Sequence, residues 1–187
     1  MAASKRTRGG TQPDPLSPDD VLDAALALVA AEGLDALSVS SVARALGVST
    51  PAVYHYLGGK EDLVNRVCER VAREVEIPPG DEGAWDDRIV AVVVSMHTTF
   101  ARYPGVAVRV LPLRRPSPAA SRLDQIVRDC LVEGGFADAT ADDLLATLHF
   151  LVRGWLLGQR PGLPAGTMTP ALLERAVRWT LRGAAGS

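Results

Sequence analysis

The sequence predicts an all-α fold of about nine helices, and three observations carry that expectation. Apolar residues recur at helical spacing along most of the 187 positions. Glycine and proline pairs interrupt the pattern wherever a short connection is needed. No segment alternates apolar and polar residues for long enough to read as a strand, which leaves helix packed on helix.

Ser17-Pro18-Asp19-Asp20 opens the first helix: serine caps it, proline fits its first position, and two acids face its positive end. Val21, Leu22, Ala25, Leu26, Leu28 and Val29 follow with a helical period, and Gly33 stops it. Ser38 or Val39 opens a short second helix through Leu46, with Val42, Ala45 and Leu46 expected inward. Gly47 permits a left-handed turn and Val48 plugs the space beneath it. A third helix is expected from Thr50 to Leu57, with Thr50 as cap and Pro51 at its first position. Gly58-Gly59 ends it, and Lys60 to about Glu76 forms a fourth, apolar at Leu63, Val64, Val67, Val71 and Val75.

The run Ile77-Pro78-Pro79-Gly80 to Gly83 marks the clearest boundary. Three parts follow from it: a disordered basic arm over residues 1–16, with Lys5, Arg6 and Arg8; a first domain with its connecting helix over 17–76; and a larger helical domain over 77–187. The arm reads as a solvated tail or as a DNA-tracking segment.

Beyond the boundary a long helix carries Trp85, Ile89, Val92, Val93, Met96, Phe100 and Tyr103 as one continuous stripe. Pro104-Gly105 breaks it before a short helix from Val106 to Leu111, and Pro112 to Pro118 is a stiff connector. A helix from Ala119 to Glu133 stops at Gly134-Gly135. Thr140 is expected to cap the next, which runs through Leu157, and Thr169-Pro170 starts the last, Ala171 to Arg182.

Total charge points to no partner. The chain has 20 basic and 22 acidic residues, and residues 1–76 hold 8 basic against 11 acidic. Local sign is more informative, because screening confines a charge's reach to about 8 Å at physiological salt. Between Ala36 and Lys60 there is no Asp or Glu, while Arg44 and Lys60 are present. Cys68 and Cys130 lack CxxC spacing and read as reduced thiols, a redox pair being the minor alternative. No apolar run nears the ~20 residues that span a bilayer, so a cytoplasmic protein is expected, without membrane contact.

The layout of the second and third helices is that of a helix-turn-helix, whose second helix can enter the DNA major groove. Ala43, Gly47 and Ala52 are the small residues such a crossing needs. Ser38, Ser40, Thr50, Tyr54, His55 and Tyr56 bring polar groups to the groove side, and Lys60 can share a phosphate with the start of the fourth helix. Thr50, Ala52 and His55 are the base-contact candidates, Ala52 through a thymine methyl. One of Tyr54 and Tyr56 is as readily explained by core packing.

Residues 17–76 resemble the DNA-binding domain of the TetR family of bacterial repressors. The resemblance rests on Ser41-Val42-Ala43-Arg44-Ala45-Leu46-Gly47-Val48-Ser49, then Pro51-Ala52-Val53-Tyr54-His55-Tyr56, then Lys60-Glu61-Asp62-Leu63. It implies a homodimer gripping a palindromic operator, with Tyr54 and Lys60 at phosphate positions and Ser38 and Ser40 where the second helix meets DNA. Tyr56 stands where many members have His, and Gly58-Gly59 replaces a polar pair.

The resemblance further implies a small-molecule pocket in the second domain and pairing of its last two helices with a second copy. Trp85, Met96, Phe100, Phe150 and Trp155 are candidates to line a largely apolar pocket, and Leu151 could join them. Arg109 is a candidate for a polar ligand group; for all of these, core packing or simple solvation is the competing account. Gly154 and Gly158 would admit a close helix, and Leu148, Leu151, Trp155, Leu173, Val177 and Trp179 offer apolar surface for the pair. No metal, cofactor or catalytic constellation is expected, since three scattered histidines form no ligand or triad pattern. The expected function is a ligand-responsive repressor, not an enzyme; the alternative is a helical module that binds small molecules or partners without DNA.

Overall fold

The computed structural model describes residues 16–79, 83–110, 117–158 and 169–186. The expectations for the basic arm before Leu16, the connector at 111–116 and the loop at 159–168 lie outside the described residues. Among those described, nine α-helices and one 3-10 turn form the fold, with no strand.

Helix α1 (Pro18–Glu32) begins as expected. The Ser17 hydroxyl accepts the Asp20 N–H at 3.1 Å, and the Asp20 carboxylate accepts the Ser17 N–H at 2.8 Å. The Ser17 hydroxyl, donating to that carboxylate at 2.7 Å, and then the Ser17 N–H hold the Asp20 carboxyl below its usual range. Val21, Ala25, Leu26 and Val29 are buried on one stripe against α2 (Val39–Leu46) and α4 (Lys60–Arg73). Leu37, 1% exposed, fills the space between them.

Three details differ from the sequence reading. Ala45 is exposed and Ala43 is buried, because the inward stripe of so short a helix runs through Val39, Val42 and Ala43. Helix α3 spans only Thr50–Tyr54, with Ser49 rather than Thr50 in the capping position. His55 and Tyr56 belong to a tighter turn, in which Tyr56 N–H reaches the Val53 carbonyl at 3.0 Å. Helix α4 ends at Arg73, although Val75 beyond it is still buried.

In the second half, α5 (Trp85–Ala101) is the central helix. It packs against α7 (Pro118–Glu133), α8 (Asp138–Gly158) and α9 (Pro170–Ala185), burying Ile89, Val92, Val93, Met96 and Phe100. Helix α8 starts at Asp138, two residues before the expected Thr140 cap, since helical bonding already begins from the Ala137 carbonyl to Ala141 at 2.9 Å. Arg128 on α7 holds that first turn through Asp138 at 2.9 Å and Asp142 at 2.8 Å.

The halves meet at the turn after α5 and along α4. The Leu34 N–H donates to the Pro104 carbonyl at 2.8 Å, at the turn between α5 and α6 (Val106–Val110). Gly105 has φ 89° there, and a Cβ would stand 3.0 Å from that of Leu34, so glycine is required on both counts. Helix α4 is the second junction: it packs on α6 and α7, and more lightly on α5.

Candidate nucleic-acid interface and interior cavity

The turn between α2 and α3 is built on Gly47, at φ 67° and ψ 26°. Its N–H turns back to the Ala43 and Arg44 carbonyls, and the Val48 N–H reaches Ala43 at 3.0 Å. This closes the end of α2 and aims the chain across it. Val53, with no exposed surface, then pins α3 to α2.

With Val53 inward, the neighbouring positions have to face outward. Tyr54 is 53% exposed, Pro51 and His55 are exposed, and Thr50 and Ala52 are half-buried. Tyr56 is half-buried against the core, with its ring edge-on to His55 at 6.1 Å. The open choice between the two tyrosines resolves: Tyr56 packs and Tyr54 projects.

Ser38 has a local task. Its hydroxyl accepts the Ser41 N–H at 3.0 Å as the cap of α2, and lies 3.1 Å from the exposed Ser40 hydroxyl. Lys60 is exposed on the first turn of α4. The two acids after it have partners: Glu61 pairs with Arg109 at 2.6 Å, and Asp62 accepts the Gly58 N–H at 3.0 Å and pairs with Arg66 at 3.0 Å. Arg66 first, then the Gly58 N–H, keep the Asp62 carboxyl below its usual range. Tyr54, His55 and Lys60 are thus exposed polar groups on and just after α3, following a stretch of chain without Asp or Glu.

A small cavity of ≈ 10 Å³, about one water in size, lies between α5, α7 and α8. Val93 and Met96 line it from α5, Leu123, Asp124 and Val127 from α7, and Leu145, Leu148, His149 and Val152 from α8. His149 Nε2 lies 2.8 Å from Asp124 Oδ1, while its buried Nδ1 has no partner. An open groove of ≈ 440 Å³ between α4 and α7 shares Leu123 with this cavity.

Of the seven candidate ligand residues, Leu151 included, only Met96 lines the cavity. Phe150 does not, being 64% exposed on the outer side of α8. Trp85 packs on Gly134 and edge-on to Phe136 at 5.6 Å, at the far end of α5. Phe100 and Trp155 are core residues outside the lining. Arg109 pairs with Glu61 of α4 at 2.6 Å. Asp124 and His149, which also line the cavity, are not among the ligand residues expected from sequence; each is a polar residue interrupting an apolar stripe, beside Leu123 and Leu148. Among the described residues no three His, Cys, Asp or Glu side chains converge as metal ligands, and no helix is long and apolar enough to cross a membrane.

Residues 21–67, the span from α1 into α4, match the model of the bacterial regulatory proteins of the tetR family. This segment is of the TetR family. It is 34% identical over 101 residues, 54% of its length, to the HTH-type transcriptional repressor DrrR1 of Streptomyces coeruleorubidus. It spans 37% to 58% of the length of the first curated relatives it matches. The TetR fold is shared with Streptomyces coelicolor ActR, solved in complex with actinorhodin, at TM-score 0.72 and 24% identity over 92% of this chain and 98% of ActR. BioQ, solved with its double-stranded DNA operator, gives TM-score 0.76 at 18% identity over 92% of this chain and 99% of that one.

Proposed function

We propose that this chain is a ligand-responsive transcriptional repressor, not an enzyme, that acts in the cytoplasm. It binds a palindromic operator as a homodimer and is released by a small, largely apolar molecule in its second domain. The observation that carries this reading is the division of α3: Val53 is fully buried while Tyr54 and His55 beside it are exposed, as is Lys60, with no Asp or Glu in the chain from Leu37 to Gly59.

Tyr54 and Lys60 are suited to phosphates, which position the protein, and Thr50, Ala52 and His55 to base edges, which give specificity. Ser40 can reach the backbone from α2, while the Ser38 hydroxyl is committed to its cap and Tyr56 supports His55. For the dimer, the exposed apolar residues of the last two helices are Phe150, Leu157 and Trp179, around the open Gly154. Leu148, Trp155, Leu173 and Val177, considered from sequence, are buried within the chain itself.

Release would pass through α7. An occupant between α5, α7 and α8 has to part helices around a cavity now the size of one water, and α7 is bonded to α4 through Glu69. Helix α4 begins at Lys60, so a shift of α4 changes the separation of two recognition helices that must sit about 34 Å apart. Selection of bound fragments from random duplex DNA tests the reading. Enrichment of a palindrome is expected; enrichment of no sequence would favour a ligand- or partner-binding module without DNA.

A further inference from the structure

From the pairing of His149 with Asp124 beside the interior cavity, we infer that the effector is an apolar molecule carrying a hydroxyl, and that His149 Nδ1 accepts a hydrogen bond from it. The inference rests on the reading of this chain as an effector-responsive regulator. It adds the chemical class of the effector and the residue that selects it.

A carboxylate has no proton to give, so the bond at 2.8 Å between His149 and Asp124 places the imidazole proton on Nε2. In the neutral ring Nδ1 is then an acceptor. It is buried without a partner in a side chain only 11% exposed, which is costly unless something donates to it. A lone water is a poor answer, because a buried water needs two to four polar partners, and the other seven lining residues are apolar. An amphipathic molecule satisfies both surfaces. Its hydroxyl donates to Nδ1, and its hydrocarbon body lies against Val93, Met96 and Leu145. Met96 is unbranched and can yield as the helices part. Asp124, at 28% side-chain exposure, orients the ring and is a positioning residue.

The test uses the full chain and three matched probes: thymol, thymol methyl ether and para-cymene, titrated calorimetrically. Thymol is expected to bind about tenfold more tightly than either probe lacking the hydroxyl, the worth of one buried hydrogen bond. In His149→Leu the three probes should bind alike, with para-cymene as tight as in the native chain. Asp124→Asn, which changes one atom at a water-reaching side chain, should also shrink the preference, because an amide holds either tautomer. Equal binding of thymol and its ether by the native chain, no binding of thymol, or a preference that survives both substitutions would overturn the inference. Duplex selection on the same preparations separates the two readings. Operator binding without a thymol preference removes only the role of His149; a thymol preference without operator binding removes only the repressor reading.

Discussion

The carboxylate of Glu69, on α4, accepts the backbone N–H of Ala119 at 3.0 Å and so caps the first turn of α7. The same carboxylate holds Arg73 at 2.8 Å. One side chain of the connecting helix thus closes the end of a helix that walls the interior cavity. Around it, Tyr103 in the turn before α6 donates to Glu74 just beyond α4 at 3.1 Å, and Arg109 of α6 pairs with Glu61 of α4. The Glu69–Ala119 contact carries the proposed coupling through α7.

Glu69→Gln should therefore weaken the junction by about 1 kcal/mol, the worth of a helix cap. Burial pushes the Glu69 carboxyl up, but the Ser117 hydroxyl, the Ala119 N–H and Arg73 outweigh it and leave it below the usual range. The stabilisation is thus present above the unfolded value of about 4.3 and is lost as pH falls through the lower folded value. Melting curves of both proteins should differ at about pH 7 and converge toward about pH 3. A gap that does not narrow would show that the charge is not what holds the cap.

Lys60→Ala should weaken binding to every duplex alike and lower the salt slope by about 1 per half-site, as expected for one lost phosphate contact. Fluorescence anisotropy across a salt series measures it. An unchanged slope would place Lys60 away from DNA.

Phe150→Glu together with Trp179→Glu should turn dimers into monomers in sedimentation experiments. Both side chains are largely exposed in the single chain, at 64% and 62%, so helicity and melting of the monomer should change little. A dimer that persists would place the interface elsewhere.

The two cysteines should be inert in the folded protein. Burial pushes the Cys68 thiol up to about 11 against the opposing pull of Arg109, and burial likewise raises Cys130. Thiolate is the reactive form, so a disulfide reagent at mildly alkaline pH should label neither until denaturant is added, and then both. Rapid labelling of the native chain would reopen the redox alternative that the sequence left standing.

By itself the sequence determined the features that rest on local chemistry. Ser17 and Gly47 act within one turn of their own positions, and the stripe from Ile89 to Phe100 needs only a period and a length. These interactions join residues a few positions apart, so spacing reveals them. Tertiary structure decided the rest. Val53, by packing inward, sorted Tyr54 from Tyr56, which spacing had left equivalent. Phe150 and Met96 are both apolar residues on helices, yet one faces out and the other lines the cavity, because only the packing of α5, α7 and α8 chooses the enclosed side. Asp124 and His149 stand 25 positions apart and acquire meaning as a pair once two helices bring them to 2.8 Å. A hydrogen bond depends on distance in space, and a sequence records only distance along the chain.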